Sequence, residues 1–186
     1  MIIALIAATF TWFPVHIEDA DVSIVSNEGF VVAYDNKRLN PAWVQYDLEP
    51  CEVIKMKRVP NDFKEDPRVP MTCDDNVVNF YKAYGGIFDR GHLAPAADFN
   101  WSTNALRQTY YFSNISPMTP KLNRGAWLDH ENEVRRLAES GTVHVVIFPQ
   151  YQERLKPNGY VMIPTHFVKV AWGWFGVKVW KERNEQ

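Results

Sequence analysis

The sequence predicts an α+β fold with a mixed or antiparallel central sheet, and three observations carry that prediction. Short runs rich in Val, Ile, Tyr and Phe recur along most of the chain, bounded by Gly, Pro, Asn and Asp. Residues 124–139 alone sustain a helical period over several turns. No repeat, low-complexity tract or long linker interrupts the 186 residues, so the strands and the helix share one core.

The elements follow in order. Residues 1–13 (MIIALIAATFTWF) are strongly apolar. They lack the basic start and small-residue cleavage site of an export signal and are short for a membrane span. An atypical export signal, a membrane-adjacent anchor and a buried first strand are the three readings. The protein is exported under the first and intracellular otherwise, and no stable membrane span is expected. Residues 1–21 thus stand apart from a single domain over 22–186.

Residues 22–25 and 30–34 read as a hairpin around Ser26-Asn27-Glu28-Gly29. A strand over 43–48 begins after Asn40-Pro41, and another over 53–58 stops at Pro60. Residues 60–76 mix prolines with charge and read as loop. Residues 77–84 suit a short helix or an extended piece, ended by Gly85-Gly86. Residues 93–100 are irregular around Pro95, 103–108 form a short helix, and 109–112 read as a strand. In 124–139 the apolar Trp127, Val134 and Leu137 recur near helical spacing, and Gly141 stops the helix. Strands at 143–148, 160–163, 166–172 and 176–180 complete the chain.

Composition excludes several classes. With 46% hydrophobic and 23% charged residues, this is an ordinary globular chain rather than a disordered one. A net charge of −2 excludes a surface coated in positive field, so any nucleic-acid contact comes from a local basic site. Cys51 and Cys73 are too few for a four-cysteine zinc site or a dense disulfide scaffold. They pair if the protein is exported, or remain two thiols.

The candidate chemistry concentrates in Asp89-Arg90-Gly91-His92. Arg90 can fork onto a phosphate, and Gly91 can let the backbone approach a ligand. His92 has the side chain whose ordinary pKa suits proton transfer near neutrality. A second polar group follows downstream: Asn114, Asn123, Glu131 and Arg135. Phosphodiester hydrolysis needs a nucleophile, neutralisation of charge on the phosphoryl oxygens, and help for the leaving oxygen. His92 suits the general base. Asn123 offers a neutral oxygen to a hard cation such as Mg²⁺, which keeps several waters, and Glu131 can orient those waters. Arg58, Arg90 and Arg135 can grip phosphate oxygens. If one helix runs from Asn123, then 123, 131 and 135 lie along one face, with the positive helix end near the phosphate.

Each residue also has a plainer reading. His92 alone reads as a satisfied core histidine, and only the downstream cluster lifts it above that. Asn114 can simply brace a loop, and Arg136 belongs to a solvated helix face. Glu131 and Arg135 make an i,i+4 pair worth a few tenths of a kcal/mol, about 0.3. His16, His130, His144 and His166 read as structural.

Three stretches carry a resemblance: Asp89-Arg90-Gly91-His92-Leu93-Ala94-Pro95, Phe112-Ser113-Asn114-Ile115-Ser116-Pro117, and Leu122-Asn123-Arg124-Gly125-Ala126-Trp127 with Glu131. In this order and spacing the chain resembles the DNA/RNA non-specific endonucleases of the ββα-metal superfamily, the family of endonuclease G and secreted bacterial nucleases. That resemblance implies a ββα-metal finger as the active site. It implies a Mg²⁺ cofactor, with Mn²⁺ or another divalent cation able to substitute, and DNA and RNA as substrates. Residue by residue it implies His92 as general base, Asn123 as the single direct metal ligand, and Glu131 acting on the metal through water. Arg90, Arg124 and Arg135 would contact substrate, Asn114 would position groups, and Arg58 would stabilise the transition state. A homodimer is one arrangement it implies. The alternative is a catalytically weak nucleic-acid-binding, effector or structural protein that retains the fold. Two departures stand out: Met118 where the family usually has glutamine, and Ile147-Phe148-Pro149 where it often has Thr-Gly-Pro.

Overall fold

The computed structural model describes residues 21–53, 62–69, 76–151 and 161–185. In chain order its regular elements are β1 (Val22–Ser26), β2 (Phe30–Asp35), β3 (Asn40–Leu48), α1 (Asn76–Ala83), β4 (Asp89–His92), α2 (Thr103–Thr109), β5 (Ile115–Met118), α3 (Pro120–Asn123), α4 (Ala126–Ala138), β6 (Val143–Gln150), β7 (His166–Gly173) and β8 (Gly176–Arg183). Six strands form one sheet in the order β1-β2-β3-β6-β7-β8, with every neighbouring pair antiparallel. β4 and β5 pair antiparallel in a second, two-stranded sheet. The α+β expectation holds, with the central sheet antiparallel throughout.

β3 and β6 lie side by side in the sheet, yet nearly a hundred residues separate them in sequence. All four helices and the two-stranded sheet sit in that insertion, so the functional elements grow out of the middle of the sheet. The alternation of β3 explains the inner face. Val44, Tyr46 and Leu48 are buried, while Gln45 and Asp47 between them are half-exposed. Val143, Val145 and Ile147 of β6 continue that layer.

The long helix closes over the core through Trp127, Val134, Leu137 and Ala138. Trp127 is almost wholly enclosed and packs against the Phe167 ring at 5.6 Å. Truncating such a residue to alanine costs about 3–5 kcal/mol. Two asparagines fasten the small sheet to the large one. Ser116 donates to Asn40 Oδ1 at 2.9 Å, and Asn184 Nδ2 donates to the Pro117 carbonyl at 2.9 Å.

Several local expectations change. The helix expected over 124–139 is α4, which starts at Ala126, but Asn123 lies on the separate short helix α3, with Gly125 between them. Residues 109–112 are not a strand: Thr109 ends α2 and Phe112 opens a 3-10 turn, with the strand displaced to β5. The β preference of Tyr110, Tyr111 and Phe112 yields to tertiary packing of their rings. Residues 161–163 are irregular, and Val53 follows a 3-10 turn over Pro50–Glu52. The rest of the strand expected over 53–58 lies outside the described residues, as do residues 1–13, Cys73 and His16. Cys51 is a free, exposed thiol. Among the described residues no helix is long and apolar enough to cross a membrane.

Candidate active site

Two antiparallel strands followed by helices make a finger, and strand geometry sorts the Asp89-Arg90-Gly91-His92 residues onto its two faces. Side chains alternate along β4, so Arg90 and His92 share one face and Asp89 and Gly91 the other.

On the first face, both residues meet Phe63. The Arg90 guanidinium lies 5.1 Å from its ring centroid and 5.5 Å from that of Tyr81. The His92 ring is 5.4 Å from Phe63 and stands edge-on to Tyr110 at 5.1 Å. His92 Nε2 is buried without a hydrogen-bond partner among the described residues. Burial in this aromatic surround pushes the His92 pKa down to about 4. His92 is therefore a neutral imidazole at physiological pH, the form a general base must have. The backbone under it is held as well, since Trp127 Nε1 donates to the His92 carbonyl at 3.3 Å.

On the second face, Gly91 does not open the backbone to a ligand. A Cβ there would fall 2.4 Å from Met118 Cγ, so the missing side chain makes room for Met118. Asp89 reaches the helices instead. It accepts two hydrogen bonds from Arg124, at 2.8 and 2.7 Å, and one from Asn123 Nδ2 at 3.0 Å. Partial burial opposes ionisation of Asp89, but the Arg124 and Asn123 hydrogen bonds outweigh it and hold the carboxyl below its ordinary range. With its amide nitrogen on Asp89, Asn123 keeps its carbonyl oxygen as the group to offer a cation.

The expected single helical face breaks at Gly125. A Cβ at this position would lie 2.6 Å from the Lys121 carbonyl, so a glycine lets α3 end tightly against the start of α4. Asn123 therefore projects from the end of a four-residue helix, and Glu131 and Arg135 from the next one. Arg135 Nη1 donates to the fully buried Asp98 at 2.6 Å, and Nη2 to Asn132 at 2.8 Å. Tyr46 donates its hydroxyl to the other Asp98 oxygen at 2.8 Å. Glu131 lies 4.0 Å from Arg135 with only 12% of its side chain exposed. Burial raises the Glu131 pKa, opposed chiefly by the charge of Lys169.

Asn114 proves to be a brace. It accepts from the Ala94 amide and donates to the Ala94 and Thr109 carbonyls, all at 2.9 Å. It thus fixes the loop that leaves His92. Arg58 lies outside the described residues. His130 pairs with Glu182 at 2.8 Å and His144 with Asp47 at 2.7 Å, as expected of structural histidines. His166 contacts the Thr165 hydroxyl at 3.1 Å.

Three features of the site carry no motif: the aromatic surround of His92, the buried Asp98 and the buried Lys169. Strand alternation in 166–172 hints at an inward Lys169, between Phe167 and Ala171. Apolar residues on both strand faces hide that signal. Asp98 and Tyr110 offer no comparable clue, because only the tertiary fold brings them to the site.

The cation-binding potential has a distinct character. Among the described residues no three His, Cys, Asp or Glu side chains cluster as a metal cage. A hard cation that retains most of its water fits a lone amide oxygen better than it fits such a cage.

The chain is similar to known proteins in both sequence and fold. The family described as DNA/RNA non-specific endonuclease matches residues 14–176. The chain is 34% identical over 164 residues to "Endonuclease G, mitochondrial" of Homo sapiens, covering 78% of this chain and 52% of that protein. It is 29% identical over 176 residues to "Mitochondrial nuclease" of Saccharomyces cerevisiae, covering 85% of this chain and 51% of that protein. The chain thus spans about half the length of these relatives. The crystal structure of the EndoG/EndoGI complex superposes with a TM-score of 0.72 at 27% identity, over 87% of this chain and 74% of that one. By sequence and by fold, the chain belongs to the DNA/RNA non-specific endonuclease family.

Proposed function

We propose that the protein is a Mg²⁺-dependent endonuclease that hydrolyses phosphodiester bonds of both DNA and RNA. The observation that carries this reading is the finger itself. It bears a neutral, desolvated histidine on β4 and an asparagine with an available carbonyl oxygen at the end of α3.

In this reading His92 accepts a proton from water as the water oxygen attacks phosphorus. Nε2 is enclosed, so Nδ1 is the nitrogen left to receive that proton. The bond from phosphorus to the leaving oxygen breaks on the opposite side, the leaving oxygen takes a proton from solvent water, and the protonated His92 returns its proton to solvent. Among the described residues Arg90 is held by rings rather than by a carboxylate, which leaves its donors for a phosphate. Arg124 and Arg135 bring further positive charge, each already anchored to an aspartate. Arg58 is assigned to transition-state charge by the family resemblance alone. Asn123 would hold the Mg²⁺ directly and Glu131 through its hydration shell, and the ion would neutralise charge on the phosphoryl and leaving oxygens.

Plasmid nicking tests the reading. His92→Ala should lose about 10²–10⁴-fold in rate while keeping the wild-type circular dichroism spectrum. EDTA should abolish cleavage of both plasmid and RNA, and added Mg²⁺ should restore it. Wild-type rates from His92→Ala, or cleavage that ignores EDTA, would sink the proposal.

A further inference from the structure

The chemistry above leaves a buried cation unused. Lys169 is fully enclosed on β7, and its Nζ has no hydrogen-bond partner among the described residues. That ammonium sits 4.2 Å from the centroid of the Trp127 ring. Trp127 stands one helical turn before Glu131 on α4, and its Nε1 donates to the His92 carbonyl. Lys169 therefore lies beneath the part of the helix that serves the site.

The surrounding charges explain what it does there. Glu131, Asp98 and Arg135 are the titratable groups whose charge acts on Lys169. Arg135 is bonded to Asp98 at 2.6 Å but comes only within 4.0 Å of Glu131. Arg135 thus answers Asp98, and Glu131 is left with no hydrogen bond among the described residues. A shielded carboxylate needs a countercharge, and with Arg135 committed to Asp98 the ammonium over Trp127, one helical turn before Glu131, is placed to supply it. Stability alone does not account for this lysine, since buried ion pairs are commonly matched or bettered by apolar residues.

We propose that Lys169 is a positioning residue for cleavage, a countercharge under α4 that holds Glu131 toward the finger without occupying its carboxylate oxygens. The inference rests on Glu131 serving the cation's water. A hydrogen-bonded partner would tie up the oxygens that water needs, whereas an ammonium over an indole face leaves them open.

A double-mutant cycle with Lys169→Met, Glu131→Gln and both together tests this, reading kcat, KM and Tm on plasmid-cleaving protein. Lys169→Met should lower kcat about 10–100-fold, the usual loss for a supporting partner of a metal site, with KM unchanged. The double variant should be no slower than Glu131→Gln alone, because the lysine acts only through that residue. Tm should fall for Lys169→Met and recover in the double variant, where neither charge remains. Wild-type kcat in Lys169→Met, or losses that multiply, would overturn the proposal. If Lys169→Met alone does not fold, recovery of the fold in the double variant supports the pairing and failure to recover refutes it. Glu131→Gln at the wild-type rate would instead remove the role of Glu131 on which the inference stands. His92→Ala tests the nuclease reading separately.

Discussion

Two arginine–aspartate pairs hold this site at nearly equal distances, but they differ in medium and in the number of hydrogen bonds: Arg124 grips Asp89 with two, Arg135 grips Asp98 with one. Arg124 meets Asp89 at 2.7 Å and Arg135 meets Asp98 at 2.6 Å. The Arg124 side chain is 71% exposed, whereas Asp98 is fully buried. At Asp89 the hydrogen bonds outweigh desolvation and lower the pKa. At Asp98 desolvation wins and raises it, despite the charge of Arg135 and hydrogen bonds from Arg135 and Tyr46. Nearly equal distances thus give opposite shifts, so distance alone does not rank such pairs. The outer pair orients Asn123 where solvent can reach it. The inner pair fixes α4 against the turn that follows β4.

The largest expected effect lies in the inner pair. Asp98→Ala leaves the half-buried Arg135 guanidinium without its carboxylate and removes the acceptor of the Tyr46 hydroxyl. Breaking a buried pair from one side costs about 3–5 kcal/mol. Urea unfolding at neutral pH measures it, and a loss below about 1 kcal/mol, the range of exposed pairs, would erase the distinction drawn here.

Next comes the pH dependence of His92, which shares the buried side of the site. Its folded pKa of about 4 lies below the ordinary 6.5, so the unfolded chain takes up a proton first as pH falls. The stabilisation is complete above 6.5 and is lost as pH drops from there toward 4. Its ceiling is on the order of 3 kcal/mol. Urea unfolding at pH 7 and pH 5 should show that His92→Gln loses less stability on acidification than wild type. Equal losses would mean that the aromatic surround does not exclude the charged ring.

How much of this was legible in the sequence follows the same division. The hairpin of β1 and β2, the strands β6 to β8 and the α4 stripe all follow from local periodicity. Asp89, Arg90, His92, Asn123 and Glu131 are legible as candidates because they sit in or close to ordered motifs. The partners that set their properties come from distant segments: Phe63 and Tyr110 for His92, Asp98 for Arg135, Lys169 for Glu131. No local pattern encodes those contacts. Gly125 shows the limit within a motif. The sequence reads as helix from Arg124, and only the close approach of the Lys121 carbonyl shows why α4 starts after Gly125, apart from α3.

The smallest effect on stability should come from the outer pair, and it separates two roles for Arg124. An exposed guanidinium on a partly exposed carboxylate is screened by salt, so Arg124→Ala should shift Tm slightly at low ionic strength and not at high. Activity should respond differently. Asp89 keeps the Asn123 hydrogen bond when Arg124 is gone, so the asparagine stays oriented and kcat should persist. If the guanidinium also contacts phosphate, KM for plasmid rises in Arg124→Ala, and that rise shrinks as salt is added. Asp89→Ala frees the same guanidinium and also releases Asn123, so its damage should appear in kcat. A fall in kcat with unchanged KM in both variants would make Arg124 a brace for Asp89 alone and remove it from the substrate surface.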